Sequence, residues 1–249
     1  MMTKAIRMPK LKQSPRFSII IPCYHDEAQL NNLLGQLRTI SAPAPLEIIV
    51  VDGAVSITCR SVCRAQKGHW LAGEPCRGRQ LLAGALKARG DVLWFLHADT
   101  QVTPTAFTAM SRAIDQGALG GFFRFRFAAP REWPALILEP AIALRCRWGV
   151  PYGDQGLFMT RDSYRAAGGH APWPLFEEVP LVRNVRRLGR FVALREPIYV
   201  NPRRWQRDGW WRRTWHNRRL ALKFAAGVAP EALAVRYEAG NSCLQRHGF

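Results

Sequence analysis

Three short, almost continuously apolar runs constrain this chain most: Phe17–Ile21, Leu46–Val51 and Val92–Leu96. Runs of that length and composition fit strands covered on both faces, because a strand with one wet face would alternate apolar with polar residues. Helical patterns lie between them. Leu30, Leu33, Leu34 and Leu37 recur at helical spacing within Asp26–Ile40, with Asp26 placed as the cap, and a weaker helix covers Ser56–Gln66. A short strand at His69–Ala72 and a helix over Gly78–Arg89 follow, and Gly90-Asp91 turns into the third run. Strand–helix repetition of this kind requires parallel strands joined by right-handed crossovers.

The second half is less regular. A helix from Pro104 to Asp115 leads to Gly120–Phe127, whose alternation predicts a strand with one arginine-bearing face. Helices are expected at Trp133–Trp148 and at Glu177–Leu188, where Gly189 is the stop, and a strand at Gln155–Met159. Two short strands follow at Phe191–Leu194 and Ile198–Val200, then a helical tail from Gly209 to Tyr237 interrupted near Gly227 and Pro230. With 249 residues, 48% of them hydrophobic, and no internal repeat, one large α/β domain is expected. The division is a basic segment 1–16, a domain 17–200 with halves 17–100 and 101–200, and a basic Trp/Arg-rich helical extension 201–249.

Formal charge is +18 and the pI is near 10.8, so anionic partners are expected. Charge alone does not separate nucleic acid, anionic lipid and nucleotide phosphates. The six cysteines show no CxxC pair or zinc spacing, and Cys59 and Cys63 read as buried thiols. There is no apolar leader before Phe17, and no uncharged stretch reaches the roughly 18 residues of a membrane span. The expected location is the cytoplasm, with peripheral attachment at the inner membrane face open. The tail Asn201–Arg219 interleaves arginine with tryptophan, which suits a membrane surface, a nucleic-acid groove or a lid over a diphosphate.

In open α/β sheets ligands bind at the carboxyl edge of the strands. The first run delivers Pro22 to Glu27 there, including Tyr24; the second delivers Asp52-Gly53; the third delivers His97-Ala98-Asp99. A tyrosine face and an aspartate suit a nucleobase and a ribose. An imidazole and a carboxylate can hold a divalent metal, which in turn can hold a diphosphate. Arg77-Gly78-Arg79-Gln80 opens a helix, where backbone amides and arginines can meet a phosphate. No GxGxxG or Walker A loop follows the first strand, which argues against a dinucleotide-binding enzyme.

Ser18–Pro22, Glu47–Gly53, Leu96–Thr100, Gly153-Asp154-Gln155-Gly156, Glu177-Glu178-Val179 and Arg203-Arg204-Trp205 together resemble family 2 glycosyltransferases of the GT-A fold. The His-Ala-Asp and Gly-Asp-Gln-Gly forms resemble a small bacterial subgroup labelled arsenosugar-type glycosyltransferases. The resemblance implies a Rossmann-like, mostly parallel mixed sheet flanked by helices, with a C-terminal helical extension. It also implies metal-dependent, inverting transfer of a sugar from a nucleotide diphosphate to a hydroxyl acceptor, which a lipid could carry.

By the same resemblance, Pro22, Tyr24, Glu27, Asp52, Gly53, Arg79, His97 and Ala98 form the nucleotide site. Asp99 matches the last acid of the family's Asp-x-Asp element and ligates Mn2+ or Mg2+; His97, in place of the first acid, either joins it or contacts the diphosphate. Glu178 is the expected base, with Glu177 the close second and Asp154 beside them; Gln155, Arg204 and Trp205 would face the acceptor or diphosphate. The sequence departs from the family after Asp52-Gly53, where Ala54-Val55-Ser56-Ile57-Thr58 lacks the usual Ser and second Asp. That departure motivates a rival reading as a non-catalytic nucleotide-sugar-binding protein, and the charge motivates another as a nucleic-acid binder, the less favoured partner.

Overall fold

The computed structural model describes residues 17–40 and 46–242; the segment 1–16 and the end of the C-terminal extension lie outside the described residues. In chain order the elements begin β1 (Phe17–Cys23), α1 (Glu27–Ile40), β2 (Leu46–Asp52), α2 (Ile57–Ala65), β3 (His69–Ala72) and α3 (Arg77–Lys87). They continue with β4 (Val92–Phe95), β5 (Thr100–Gln101), α4 (Ala106–Asp115), β6 (Gly120–Phe127), α5 (Trp133–Trp148), a 3-10 turn (Gly153–Gln155) and β7 (Phe158–Thr160). The last are α6 (Arg161–Ala166), α7 (Glu178–Leu188), β8 (Phe191–Val200), α8 (Arg203–Asp208), α9 (Trp210–Ala225) and α10 (Pro230–Ser242).

The strands form one eight-stranded sheet in the order β3-β2-β1-β4-β7-β6-β8-β5. β1 pairs in parallel with both β2 and β4, and β2 with β3, so the carboxyl ends of four strands share one edge. β7 runs antiparallel between β4 and β6, and β6 pairs in parallel with β8.

Successive side chains of a strand leave on opposite faces, and here both faces are covered. Phe17, Ile19 and Ile21 of β1 pack with Leu30, Leu33, Leu34 and Leu37 of α1 and with Trp94 and Met110. Ile20 packs on the other side with Leu81 of α3, Leu93, Phe95 and Leu181, Val182 and Val185 of α7. Cys59 and Cys63 are buried in the first layer, as free thiols.

Buried polar side chains pin the edge that matters. Gln80 of α3, 3% exposed, donates from Nε2 to the carbonyls of Cys23 (2.9 Å) and Val51 (2.8 Å), tying together the last turns of β1 and β2. α3 reaches that position because residue 78 is glycine. A Cβ there would lie 2.1 Å from the Ala171 carbonyl oxygen and 2.6 Å from that of Trp173.

The structure corrects several element boundaries. The two short strands expected at Phe191–Leu194 and Ile198–Val200 are one strand, β8. Its register against β6 shifts between Phe122 and Arg124, which pair with Ala193 and Pro197, so Leu194, Arg195 and Glu196 are accommodated as a bulge within one strand. The strand expected at Gln155–Met159 begins only at Phe158; Gly153–Gln155 is a 3-10 turn ending at Gly156 with φ +58°, a conformation that favours glycine. Asp26 stands before α1, but its carboxylate is bound by Arg203.

Replacing two of the helical glycines, Gly78 and Gly35, should separate packing from propensity. Gly78→Ala should destabilise by about 1–3 kcal/mol through overpacking. Gly35→Ala, with nothing within 4 Å of the added Cβ, should stabilise by up to about 1 kcal/mol. Urea unfolding of both variants reads the two signs.

Candidate active site

A cavity of about 140 Å³ opens beyond the carboxyl ends of β4 and β8. It is close in size to the ~150 Å³ void that holds a single six-membered ring. His97 and Asp99 after β4, Gly153 and Asp154 of the 3-10 turn, Glu178 of α7 and Arg77 of α3 line one side. Asn201, Arg204 and Trp205 line another, and Arg213, Asn217 and Leu220 of α9 with Tyr237 of α10 close it.

Three buried polar atoms of this lining have no partner among the described residues: His97 Nε2, Asp154 Oδ1 and Glu178 Oε2. Buried polar atoms are nearly always hydrogen-bonded, and an unpaired one costs about 1–3 kcal/mol. Three such residues around one cavity mark a place for a polar ligand.

The acidic pair is divided by its neighbours. Glu177 is fully buried and takes the Arg77 guanidinium in a bidentate pair, Nε to Oε1 at 2.5 Å and a terminal nitrogen to Oε2 at 2.9 Å. Glu178 starts α7 and turns into the cavity. Its Oε1 accepts the Gly153 amide at 3.3 Å and its Oε2 is left open. Burial, reinforced by the Glu177 carboxylate, pushes the Glu178 carboxyl up to about 8 against the pull of Arg77. Asp154 is likewise raised by burial, with Arg145 opposing.

His97 is neutral. Burial first, then the Arg77 and Arg204 guanidinium groups, lower its imidazole to about 3. Asp99 is raised by burial, although Arg204 and Arg203 draw it down. Arg203 bridges two carboxylates, bonding Asp26 at 2.7 and 2.8 Å and Asp99 at 3.3 Å. Asp99 and a neutral His97 whose Nε2 has no hydrogen-bond partner both line this cavity, and their chemistry fits a divalent cation. Among the described residues no set of three or more His, Cys, Asp or Glu side chains could cage an ion. That suits a cation completed by substrate phosphates, which Mg2+ commonly uses beside one or two carboxylates.

Other residues singled out in the sequence lie nearby but outside this cavity. Asp52 is fully buried, and its carboxylate accepts the amides of Ala54 (2.9 Å) and Ser56 (2.7 Å) and the Trp70 indole (3.2 Å), which fixes the loop after Gly53. Tyr24 is 55% exposed, its ring 4.4 Å from that of His25. Pro22 is part of β1, Glu27 opens α1, and Ala98 is buried. Arg79 is on the surface, paired with Glu74. Gln155 is buried and accepts from the Cys146 thiol and the Tyr152 amide. Arg204 and Trp205 do line the cavity: Arg204 donates to the Tyr237 hydroxyl at 2.7 Å, and Trp205 packs edge-on against Phe127.

The sequence leaves a lid as one of three readings of the tail Asn201–Arg219 and does not identify the contacts of the closing wall. Phe176, Val179, Leu220 and Leu233 form a small core that docks α9 and α10 over the cavity. Its one legible sign is an amphipathic α9, with Arg213 and Leu220 turned inward. The Trp/Arg tail is therefore divided: Trp205 and Trp210 pack on Phe127, whereas Trp211 and Trp215 face outward. No helix among the described residues is long and apolar enough to cross a membrane.

Solved structures share this architecture. The mannosyltransferase PcManGT from Pyrobaculum calidifontis, in complex with GDP-Man and Mn2+, superposes with a TM-score of 0.60 at 16% identity, covering 94% of this chain and 70% of that one. Glucosyl-3-phosphoglycerate synthase from Mycobacterium tuberculosis, in complex with Mn2+, UDP and glucosyl-3-phosphoglycerate, gives 0.55 at 15% identity, covering 75% and 71%. TarS 1-349 of S. aureus in complex with UDP-GlcNAc gives 0.59 at 15%, covering 75% and 58%. At such identities the likeness shows the fold, an α/β fold of the GT-A type. No curated protein matches the chain in sequence. The profile of Glycosyl transferase family 2 matches residues 18–167, more than half of the chain, and the protein belongs to that family.

Proposed function

We propose that this glycosyltransferase moves one sugar from a nucleotide diphosphate to a hydroxyl acceptor in a single inverting displacement, with Glu178 as the base. The observation that carries the reading is that three residues lining one cavity, His97, Asp154 and Glu178, each keep a buried polar atom without a partner. In the reaction the acceptor oxygen attacks the anomeric carbon and its proton passes to the Glu178 carboxylate. The bond from that carbon to the diphosphate breaks, and the electron pair leaves with the nucleoside diphosphate. Inversion follows because one displacement needs a base but no protein nucleophile.

The nucleotide lies along Pro22, Tyr24, Glu27 and the Gly53–Ser56 loop that Asp52 holds in shape; Arg79 and Ala98 complete that side. Tyr24 offers a ring face where a base can stack. The diphosphate reaches His97 and Asp99, near the Arg77 and Arg204 guanidinium groups whose charge already depresses His97. Asp99 and His97 would hold a Mn2+ or Mg2+ ion, which would offset charge developing on the leaving diphosphate. Asp154 and Gln155 shape the sugar pocket, and Trp205 gives the sugar an apolar wall. The His97-Ala98-Asp99 and Gly153–Gly156 forms favour the arsenosugar-type subgroup. In this reading residues 17–100 bind the donor, 101–200 the acceptor, and the stretch from 201 onward closes the site.

Glu178 carries two expectations with linked signs. Glu178→Gln should lower kcat by on the order of 10²–10⁴ with little change in KM. The same change should stabilise the fold. Between the ordinary carboxylate range and about 8 the folded protein holds a proton that the unfolded chain releases, so wild-type stability falls as pH rises through that window. The variant's gain in Tm should thus be near zero at about pH 4 and reach several degrees above about pH 8. Unchanged kcat would reject Glu178 as the base.

Ligand binding tests the donor side. A nucleoside diphosphate with Mn2+ should raise Tm more than either alone. In Asp99→Asn the increment due to Mn2+ should vanish while that due to the nucleotide persists. An undiminished Mn2+ increment in thermal unfolding would remove Asp99 from that role.

A further inference from the structure

α5 is apolar on both of its sides. Ala135, Leu138 and Cys146 face the core. Outward, Trp133, Ile137, Leu144 and Trp148 fall in one row at helical spacing, with Leu136 beside it, and these side chains are 51–81% exposed. A surface helix ordinarily turns its polar residues outward. Here Arg147 is the one exposed charge on the helix, because Glu139 is buried under Arg126 and Arg131.

α9 adds a second row. Trp211, Trp215, Arg218 and Leu222 are exposed at spacings of a single helix face, with Arg212 and Arg219 alongside, and no acidic residue occurs between Trp210 and Ala225. The two rows meet where the Trp133 and Trp211 rings lie 5.9 Å apart. The junction is braced by Glu132, which accepts from the Trp210 indole at 3.0 Å and from Gln206 at 2.8 Å.

We propose that this continuous surface docks on an anionic lipid bilayer. Tryptophans at both ends of an apolar row suit the level where acyl chains meet headgroups. The arginines of α9 supply the attraction to negative headgroups, in a chain whose formal charge is +18. A nucleic acid would leave the α5 row in water. A second copy would set two arginine-rich rows against each other. The inner side of α9, through Arg213, Asn217 and Leu220, lines the candidate active site. Resting on the transferase reading, the acceptor hydroxyl belongs to a lipid of that surface.

The test is flotation of the full chain with vesicles of phosphatidylcholine alone or mixed with phosphatidylglycerol. The mixed vesicles should carry the protein up and shift its tryptophan emission to the blue. Ile137→Ser/Leu144→Ser should lower the partition coefficient at least tenfold, and Arg218→Glu should reduce the preference for phosphatidylglycerol, with thermal midpoints unchanged. The proposal is overturned if wild-type protein fails to float, or if the double variant floats as well as wild type. It is equally overturned if the same row holds a dimer in solution or retains nucleic acid but no vesicles. Release of nucleoside diphosphate from nucleotide sugars, assayed in parallel, keeps the two readings apart. Flotation without release supports the docking surface and rejects the transferase reading; release without flotation rejects the docking surface alone.

Discussion

The pair between Arg77 and Glu177 is the constraint on which the site depends. It joins α3, from the donor-side half of the sheet, to the residue that precedes α7, a hundred positions later in the chain. A fully buried carboxylate without a cation is strongly destabilising, so Arg77 commits to Glu177. Glu178, one residue on, is left without a cation of its own and faces the cavity with one oxygen open. Its raised carboxyl follows from burial first and then from the Glu177 carboxylate next door, with Arg77 pulling the other way. Gly78 permits the arrangement, since any side chain there would collide with the backbone at Ala171 and Trp173.

Around that pair the molecule separates rigidity from chemistry. Gln80 locks the ends of β1 and β2, and Asp52 locks the loop that follows, so this edge of the sheet is held in shape by its own side chains. The chemistry-bearing groups stay under-bonded: His97 is neutral, and Asp154 and Glu178 are raised by burial. Such groups cost stability in the empty protein, which is the signature of a site built to bind rather than to hold the fold. α9 and α10 complete the enclosure, and the outer surface of α9 is where charge and tryptophan accumulate.

The parts legible in the sequence are those governed by local pattern. β1, β2 and β4 are consecutive apolar residues because helices cover both of their faces, and α1 shows its leucines at helical spacing for the same reason. α5 was readable as a helix over its full length, yet nothing local says that its second apolar side is left exposed. The sequence reads as two strands at Phe191–Leu194 and Ile198–Val200, and the register shift between Phe122 and Arg124 of β6 is what lets one strand, β8, span both. His97, Asp99 and Glu178 stand out as chemistry-bearing residues at element ends, and the fold brings them to one cavity. Which of the two glutamates faces it was set by Arg77, a partner too distant in sequence to infer. Arg213, Asn217 and Tyr237 were invisible as lining residues because α9 and α10 are placed by contacts with Phe176 and Val179 rather than by their own pattern.

A direct measurement is the titration of Glu178 itself, followed by carbon NMR on protein labelled at its glutamate carboxyls. The account predicts one glutamate titrating near 8, absent from Glu178→Gln, and displaced when a nucleoside diphosphate binds. A full set of glutamates titrating in the ordinary range around ~4.3 would contradict it, because an ionised, solvated Glu178 would not be the open-ended buried acid on which the site rests.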